Sequence, residues 1–308
     1  MIDEVTEYAM SKEKSNIINE YHLNRLQPDK PQFALYELNT HIRENQCQVV
    51  KPHIHSFYQV IWFKKGTGKH AVDFKEYDVF DNAIFFVAPN QVHYFDENAD
   101  YEGILLHFNE QFLVQDQKPM EFFLNYNLFS NPYQQPSCCI GTGIDDLLDT
   151  YISQMKQELE NDETFGKPLI LKNYLQSFFV QIQRRRNEFE KKLDHQLPIL
   201  DEKRIQLVKF LNLIDEHYRE GYSIAEYAQL LHISSRTLSD LTQQQLNKTP
   251  SQMIQERIIL EAQRLLLYSN LNINQVGYRL GFEDASYFVK YFKKYAGVSP
   301  SEFKKSVS

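Results

Sequence analysis

Two stretches of this chain are variants of one pattern, and they limit what the rest can be. Ile224 to Pro250 reads IAEYAQLLHISSRTLSDLTQQQLNKTP, and Ile273 to Pro300 reads INQVGYRLGFEDASYFVKYFKKYAGVSP. Ile224, Leu231 and Ile233 match Ile273, Leu280 and Phe282 at an offset of 49. Ser234, Leu238, Thr242 and Thr249-Pro250 match Asp284, Phe288, Phe292 and Ser299-Pro300 at 50, so the second turn holds one extra residue. In the second copy Ile273, Val276 and Leu280 recur at helical spacing. Gly281 then stops that helix, because a left-handed cap costs glycine nothing sterically. Asp284 is placed to cap a second helix with Phe288, Tyr291, Phe292 and Tyr295 on its core side. The opposite side carries Ser286, Lys290 and Lys293, with Val289 and Lys294 at its edges.

In the first copy Ser223 and Glu226 predict a capping box, and the same wheel turns Arg236, Ser239, Asp240 and Gln243 outward. Between the copies, residues 251–269 read as one helix with Ile254, Ile258, Leu265 and Leu266 on its apolar side. One such unit is compatible with an ordinary amphipathic hairpin carrying solvated lysines. Two in tandem, each with two short helices, a tight turn and a polar outer face, predict a double helix-turn-helix.

From about residue 205 to 306 the chain resembles the DNA-binding domain of the arabinose-regulator (AraC/XylS) family of bacterial transcription factors. Ala262, Leu265-Leu266, Gly281-Phe282, Tyr287-Phe288, Phe292-Lys293-Lys294, Gly297, Ser299-Pro300 and Ser301-Glu302-Phe303 carry the resemblance. It implies seven helices that set two recognition helices into successive major grooves, about 34 Å apart on double-stranded DNA. Carried over by position, Ser235, Arg236, Ser239, Asp240, Gln243, Ser286, Tyr287, Val289, Lys290 and Lys293 are the expected DNA-binding residues. Lys290 and Lys293 are assigned to phosphate, with Lys290 able to reach a guanine edge. Asp240 stands where the family often has a basic residue, Thr242 where it often has phenylalanine, and Asn247 replaces a usual glycine. These departures make the first unit the weaker reader of DNA.

The net charge of −8 fits a DNA binder only once it is divided. Residues 201–308 hold 14 Lys+Arg against 12 Asp+Glu, which is +2, and residues 1–200 hold 19 against 29, which is −10. An acidic half is joined to a mildly basic one, so DNA affinity has to come from where the lysines sit. No run approaches the ~18 apolar residues of a membrane span, and MIDEVTEY is too acidic for a signal peptide. Three cysteines, Cys47, Cys138 and Cys139, lack metal-ligand spacing. A reducing cytoplasm is the expected location.

Between Gln32 and about Phe112 the segments FALYEL, QCQVV, FYQVIWF, KHAVDF, AIFFVA and YEGILLHF read as short antiparallel strands, separated by turn signals at residues 64–68 and 89–90. That count suggests a small barrel or jelly roll. His53-Ile54-His55, Gln59, Gly66, Pro89 and His93 resemble the two motifs of a cupin barrel, the common sensor of this family. His53, His55 and Gln59 share strand parity, so they can point to one face. With Phe57 and His93 they form the candidate effector pocket. Three readings stay open for these histidines: the polar lining of a small-molecule pocket, satisfied core histidines, or a metal centre weakened by glutamine where metal-binding cupins carry glutamate. The first is preferred, so no metal and no cofactor are expected.

Residues 143–160 and about 169–189 predict two helices with apolar stripes at Ile144, Leu147, Leu148, Tyr151, Ile152, Met155 and Leu159, and at Leu171, Leu175, Phe178, Phe179 and Ile182. Each stripe is expected to serve partly its own barrel and partly a homodimer, as in related regulators. Arg184-Arg185-Arg186 reads as a solvated helix end. Residues 1–30 read as a frayed polar arm with weak helical periodicity.

The expected organisation is a multi-domain α and β chain. It comprises an arm (1–30), a cupin-like antiparallel β-barrel sensor (31–135), a helical dimerisation segment (136–190), a linker (191–203) broken by Pro198, and an all-α tandem helix-turn-helix domain (204–308). The implied function is transcription regulation by an effector of unknown identity, with a promoter, a second copy and RNA polymerase as partners. No catalytic set is visible. The rival readings are a metal-dependent cupin enzyme fused to a DNA-binding domain and a ligand-independent dimeric regulator.

Overall fold

The computed structural model describes residues 19–24, 32–109, 112, 128–129, 135–140, 145–161, 165–192 and 202–307. The chain divides into two compact units, with the break between Pro198 and Ile199.

The first unit is built on two five-stranded sheets. One has the order β1 (Asn19–Tyr21), β3 (His53–His55), β8 (His93–Phe95), β5 (Gly68–Val72), β6 (Lys75–Val79). The other has the order β10 (Ser137–Cys139), β7 (Ala83–Val87), β4 (Tyr58–Gly66), β9 (Tyr101–Phe108), β2 (Phe33–Glu37). All neighbours are antiparallel except β1 and β3, which run parallel with Asn19 opposite His53 and Tyr21 opposite His55.

The second sheet is buried on both faces, which explains why its strands read as near-continuous apolar runs. Along β4, Ile61 and Phe63 join Val72, Phe85, Phe95 and Leu105 in the core between the sheets. Val60 and Trp62 alternate to the other face. There they meet Phe86, Leu106 and Phe108 beneath two helices, α2 (Asp145–Glu160) and α3 (Lys167–Lys192). The aromatic residues of this sheet are therefore shared between two cores.

Several expectations change here. QCQVV is not a strand: it lies in α1 (Leu38–Val49), whose Leu38, Ile42 and Val49 pack into the inter-sheet core. A short apolar run has no period of its own, and the helical spacing upstream decides it. Residues 19–24, read as part of a frayed arm, form β1 and bury Leu23; the rest of that arm lies outside the described residues. Strands β6 and β10 were not foreseen, and β10 falls in the segment expected to be helical. Lys64 and Lys65 continue β4 rather than starting its turn.

Both helical stripes are absorbed by their own sheet. Leu148, Ile152, Met155, Leu171, Leu175, Phe178, Phe179 and Ile182 are all buried in that core. Ile144 lies outside the described residues, and Leu147 is exposed. Arg186 is buried rather than solvated, because α3 continues past it and β10 lies alongside. Its Nη2 donates to the carbonyls of Gln135 and Ser137 at 3.0 and 3.3 Å. Arg185 Nε donates to the Ile140 carbonyl at 2.8 Å.

The second unit contains seven helices among its described residues: α4 (Glu202–His217), α5 (Ile224–Leu230), α6 (Ser235–Leu246), α7 (Pro250–Tyr268), α8 (Ile273–Arg279), α9 (Ala285–Ala296) and α10 (Pro300–Val307). Residues 193–201 of the expected linker lie outside the described set. The buried side of α7 is Met253, Ile259, Ala262 and Leu266, with Ile254, Ile258 and Leu265 only half-buried. A central helix packed by several neighbours is apolar most of the way round, so its sequence does not fix the phase of the stripe.

Candidate nucleic-acid interface and the barrel histidines

Each repeat folds as two helices joined by one kind of turn. Ser223 and Glu226 form a capping box at α5, and Asn272 and Gln275 form another at α8. Both first helices end with the same long bond, Ile233 N–H to the Ala228 carbonyl and Phe282 N–H to the Gly277 carbonyl, each 3.0 Å. The left-handed residue of the turn is His232 (φ 56°) in the first unit and Gly281 (φ 88°) in the second. Helix α6 starts at Ser234, whose side chain accepts from Thr237 N–H, and α9 starts at Asp284, whose carboxylate accepts from Ser286 N–H at 2.7 Å. Asn247 and Gly297 close these helices in left-handed caps.

Packing against the first helix sets the phase of the second. Leu238, Leu241 and Thr242 are buried on α6, and Phe288 and Phe292 on α9. Thr242 stands in for the aromatic ring of the second copy by turning its hydroxyl to the Ser239 carbonyl at 3.2 Å. A Cβ at Gly277 would lie 3.0 to 3.1 Å from the Phe288 side chain; the matching first-unit residues are Ala228 and Leu238. A smaller ring-facing residue goes with the larger core residue, so the two helix pairs close to similar depth.

This phasing leaves Ser235, Arg236, Ser239, Asp240 and Gln243 exposed on α6. Ser286, Tyr287, Lys290 and Lys293 are exposed on α9, with Val289 half-buried. Tyr287 is 59% exposed although aromatic, and its ring neighbours are Phe282 and Tyr291. The two faces differ in charge. Arg236 on α6 is offset by Asp240, with Nε 4.0 Å from Oδ2, whereas α9 presents Lys290, Lys293 and Lys294 without a carboxylate between them.

A charged cluster braces this unit from inside. Arg257 on α7 reaches Asp215 on α4 at 2.6 Å and Glu261 at 3.0 Å, and its guanidinium lies 4.4 Å from the Tyr218 ring centroid. Burial raises the carboxyl pKa of Glu261, and the opposing charge of Arg257 and its neighbours overcomes that, leaving it below the usual value.

In the first unit, His53, His55, Phe57, Gln59 and His93 are all buried, and register brings them together. His53 pairs directly with His93 across β3 and β8. The His93 ring centroid lies 4.2 Å from that of His53 and 4.7 Å from that of His55. Phe57 stacks on His55 at 4.3 Å. Sequence reasoning missed three members. His107 sits opposite Gln59 in β9, His70 is 5.4 Å from His93, and His41 of α1 is 5.6 Å from His107. Parity could have found two of them, since His70 shares a strand face with the apolar Val72, and His107 with the apolar Leu105.

His53 Nδ1 lies 2.8 Å from the Lys51 carbonyl, and His55 Nδ1 lies 2.8 Å from the Phe57 carbonyl. Carbonyls only accept, so both Nδ1 atoms carry the proton and each Nε2 keeps its lone pair. His55 Nε2, both nitrogens of His70 and His93, and His107 Nε2 are buried with no hydrogen-bond partner. Hydrogen bonds within the protein therefore leave nitrogens of His55 and His93 unpartnered, whereas His53 Nδ1 is satisfied. Burial, reinforced by neighbouring imidazoles, lowers their pKa to about 3 for His55 and His70. Burial lowers His53 to about 4, and takes His93 and His107 well below their ordinary value. Among the described residues no group of three or more His, Cys, Asp or Glu is placed to hold a metal ion. A groove of about 510 Å³ lined by Glu37, Trp62, Lys64, Asp81, Glu102 and Asp149 lies apart from the histidines, with Asp149 paired to Lys64 and Glu37 to Lys156.

Comparison with known proteins agrees with both units. Residues 39–167 match the AraC-like ligand binding domain, and residues 227–306 match a helix-turn-helix domain. YisR of Bacillus subtilis (strain 168), described as an uncharacterized HTH-type transcriptional regulator, is 37% identical over 95 residues, 31% of this chain and 33% of that relative. The chain thus spans about a third of YisR. The HTH-type transcriptional activator RhaS of Enterobacter sp. (strain 638) is 21% identical over 262 residues, 82% of this chain and 86% of that protein. The solved structure of ToxT from Vibrio cholerae covers 89% of this chain and 97% of its own at 16% identity, with a TM-score of 0.40.

A helix-turn-helix domain joined to a ligand-binding domain defines a DNA-binding transcriptional regulator. The chain belongs to the AraC/XylS family of such regulators. No described helix is long and apolar enough to cross a membrane.

Proposed function

We propose that this regulator reads promoter DNA in the cytoplasm through α6 and α9 and is controlled by a small molecule held among the barrel histidines. The observation that carries the first part is the pair of capped, outward-facing helices whose exposed residues include Ser235, Arg236, Ser239, Asp240 and Gln243, and Ser286, Tyr287, Lys290 and Lys293. Val289 lies at the edge of the second face. Lys290 and Lys293 anchor phosphate, and the shorter side chains read base edges. With only +2 net charge across residues 201–308, binding depends on these placed lysines and weakens steeply with salt.

The unpartnered imidazoles support the second part. Buried polar groups are nearly always hydrogen-bonded, so six orphaned nitrogens in one interior call for an occupant. Uncharged imidazoles give an anion no counter-charge, so the favoured effector is a small uncharged molecule rich in hydrogen-bond donors and acceptors, held near His53, His55, Phe57, Gln59 and His93. The chain acts by regulation and not by catalysis. It works as a homodimer through the outer faces of α2 and α3, where Leu147, Leu169 and Ile170 are exposed, and it addresses RNA polymerase at the promoter.

Footprinting the full chain on its own upstream region, with and without a panel of neutral metabolites, tests this. Protection of two successive major grooves per subunit, changed by one compound, is expected. Wild-type protection that survives unchanged in a Ser286→Ala, Lys290→Ala double variant would remove α9 from the interface.

A further inference from the structure

We propose that Arg236 and Asp240 act as one two-headed reader of a G·C base pair in the half of the operator bound by α6. This rests on the reading above that α6 enters the major groove. It adds the base that α6 selects and the two side chains that select it.

The outward face of α6 has five polar residues, and two of them are tied to their own helix. Ser239 Oγ donates to the Ser235 carbonyl of its own helix at 2.9 Å. Gln243 Nε2 donates to Asn247, the left-handed cap residue, and so is tied to the helix end. Ser235 is too short to reach past its neighbours. Arg236 and Asp240 remain, 92% and 64% exposed in their side chains, four residues apart and therefore on one side of the helix.

Helix stability does not account for this pair. Arg236 is the second residue of α6, beside the positive end of the helix dipole, and Asp240 lies a turn further on. That is the less favourable order for an ion pair on a helix. The repeat sharpens the contrast: Arg236 aligns with Ser286 and Asp240 with Lys290, so the same two positions carry opposite chemistry in the second unit.

The major groove explains both members. A bidentate guanidinium needs two adjacent acceptors, and only guanine, through N7 and O6, presents them. A carboxylate in the groove is repelled by phosphate and is tolerated only beside an amino donor, which cytosine N4 or adenine N6 supplies. Guanine and cytosine of one pair place the two acceptors next to the amino group. An arginine and an aspartate with Nε and Oδ2 4.0 Å apart match that edge. Asp240 then also keeps Arg236 in the plane of the bases. The lysines of α9 anchor by point charge, and the ion pair of α6 selects by edge.

The test is selection from randomised duplex DNA with the purified full chain, comparing wild type, Asp240→Asn and Arg236→Lys. Wild type is expected to enrich G·C at one fixed position of the half bound by α6, by about 10-fold or more over other pairs. Asp240→Asn should lose that preference or move it toward adenine, which asparagine reads bidentately, while positions read by α9 stay unchanged. Arg236→Lys should weaken the guanine preference at the same position. Identical enriched sequences for all three proteins would overturn the pair while leaving DNA reading intact. Enrichment of no sequence by wild type would overturn both.

Discussion

Gly281 and Arg219 are in backbone contact that no side chain at Gly281 could share. A Cβ on Gly281 would lie 1.9 Å from the Arg219 carbonyl oxygen. Gly281 ends the first helix of the second unit, and Arg219 follows α4 just before the first unit begins. The turn of one DNA-reading unit therefore rests on the segment that introduces the other. Both recognition helices are referred to a common support.

Gly281→Ala is expected to destabilise the helical unit by about 3 kcal/mol, since it adds left-handed strain to an overlap with main chain. Hydrogen exchange on the full chain should show lost protection in α8 and α9 and none lost in the sheets. His232→Gly occupies the matching left-handed position and should change stability by no more than about 1 kcal/mol. Equal losses for the two variants would show that the Arg219 contact does not matter.

Removing the largely buried guanidinium of Arg257 takes the shortest ion pair from both Asp215 and Glu261, leaving Glu261 with Arg264 and Arg219 at 3.7 and 3.8 Å. Arg257→Ala should cost roughly 3–5 kcal/mol in denaturant unfolding. The double variant Asp215→Asn, Arg257→Ala should recover part of that loss. No recovery would mean that the cost comes from lost packing against Tyr218.

Arg186 holds β10 to α3 through two carbonyls. Arg186→Met keeps much of the apolar stem and should lose about 2 kcal/mol, mostly from the Gln135 and Ser137 carbonyls left unpaired. Exchange protection at Ser137–Cys139 reports it directly. Unchanged protection there would place the stabilising role of Arg186 elsewhere.

The histidine cluster sets a pH dependence. The folded-state pKa values of His53, His55 and His70 lie at about 3 to 4 and the unfolded values near 6.5. Above pH 6.5 both states are neutral and stability is full. Between about 6.5 and 4 the unfolded chain takes up protons that the folded chain refuses. Stability should then fall by roughly 1 kcal/mol per pH unit for each such histidine. Urea midpoints of the full chain measured from pH 7.5 to 4.5 test this. His70→Leu should raise the midpoint at pH 7.5 and flatten the slope, because both of its imidazole nitrogens are unpartnered. A saturating effector should steepen the protection further and lose its effect in the same variant.

How far the sequence carried can be judged from particular residues. The double helix-turn-helix was legible because its signals are local: a capping box at Ser223, a left-handed turn at Gly281, a cap at Asp284, and a 3.6-residue stripe through Phe288 and Phe292. The outward side of α9 followed from the same stripe. QCQVV is ambiguous because its three apolar residues carry no decisive period, and the spacing upstream together with packing of Leu38 and Val49 between the sheets selects the helix. The role of Arg186 is not legible because its partners lie about fifty residues away, Ser137 in a strand of three residues and Gln135 just before it.

For this protein, then, the helix order of the tandem helix-turn-helix, the two-unit plan and the polar faces of α6 and α9 were determined by the sequence, since the helices and their faces depend on neighbours within one or two helical turns. Tertiary structure alone decided which apolar stripes are spent on the chain's own core, which arginines are buried, and that His41 of α1 joins the histidines of the strands. Those outcomes depend on strand register and on which faces are covered, and such pairings between distant segments leave no local period to read.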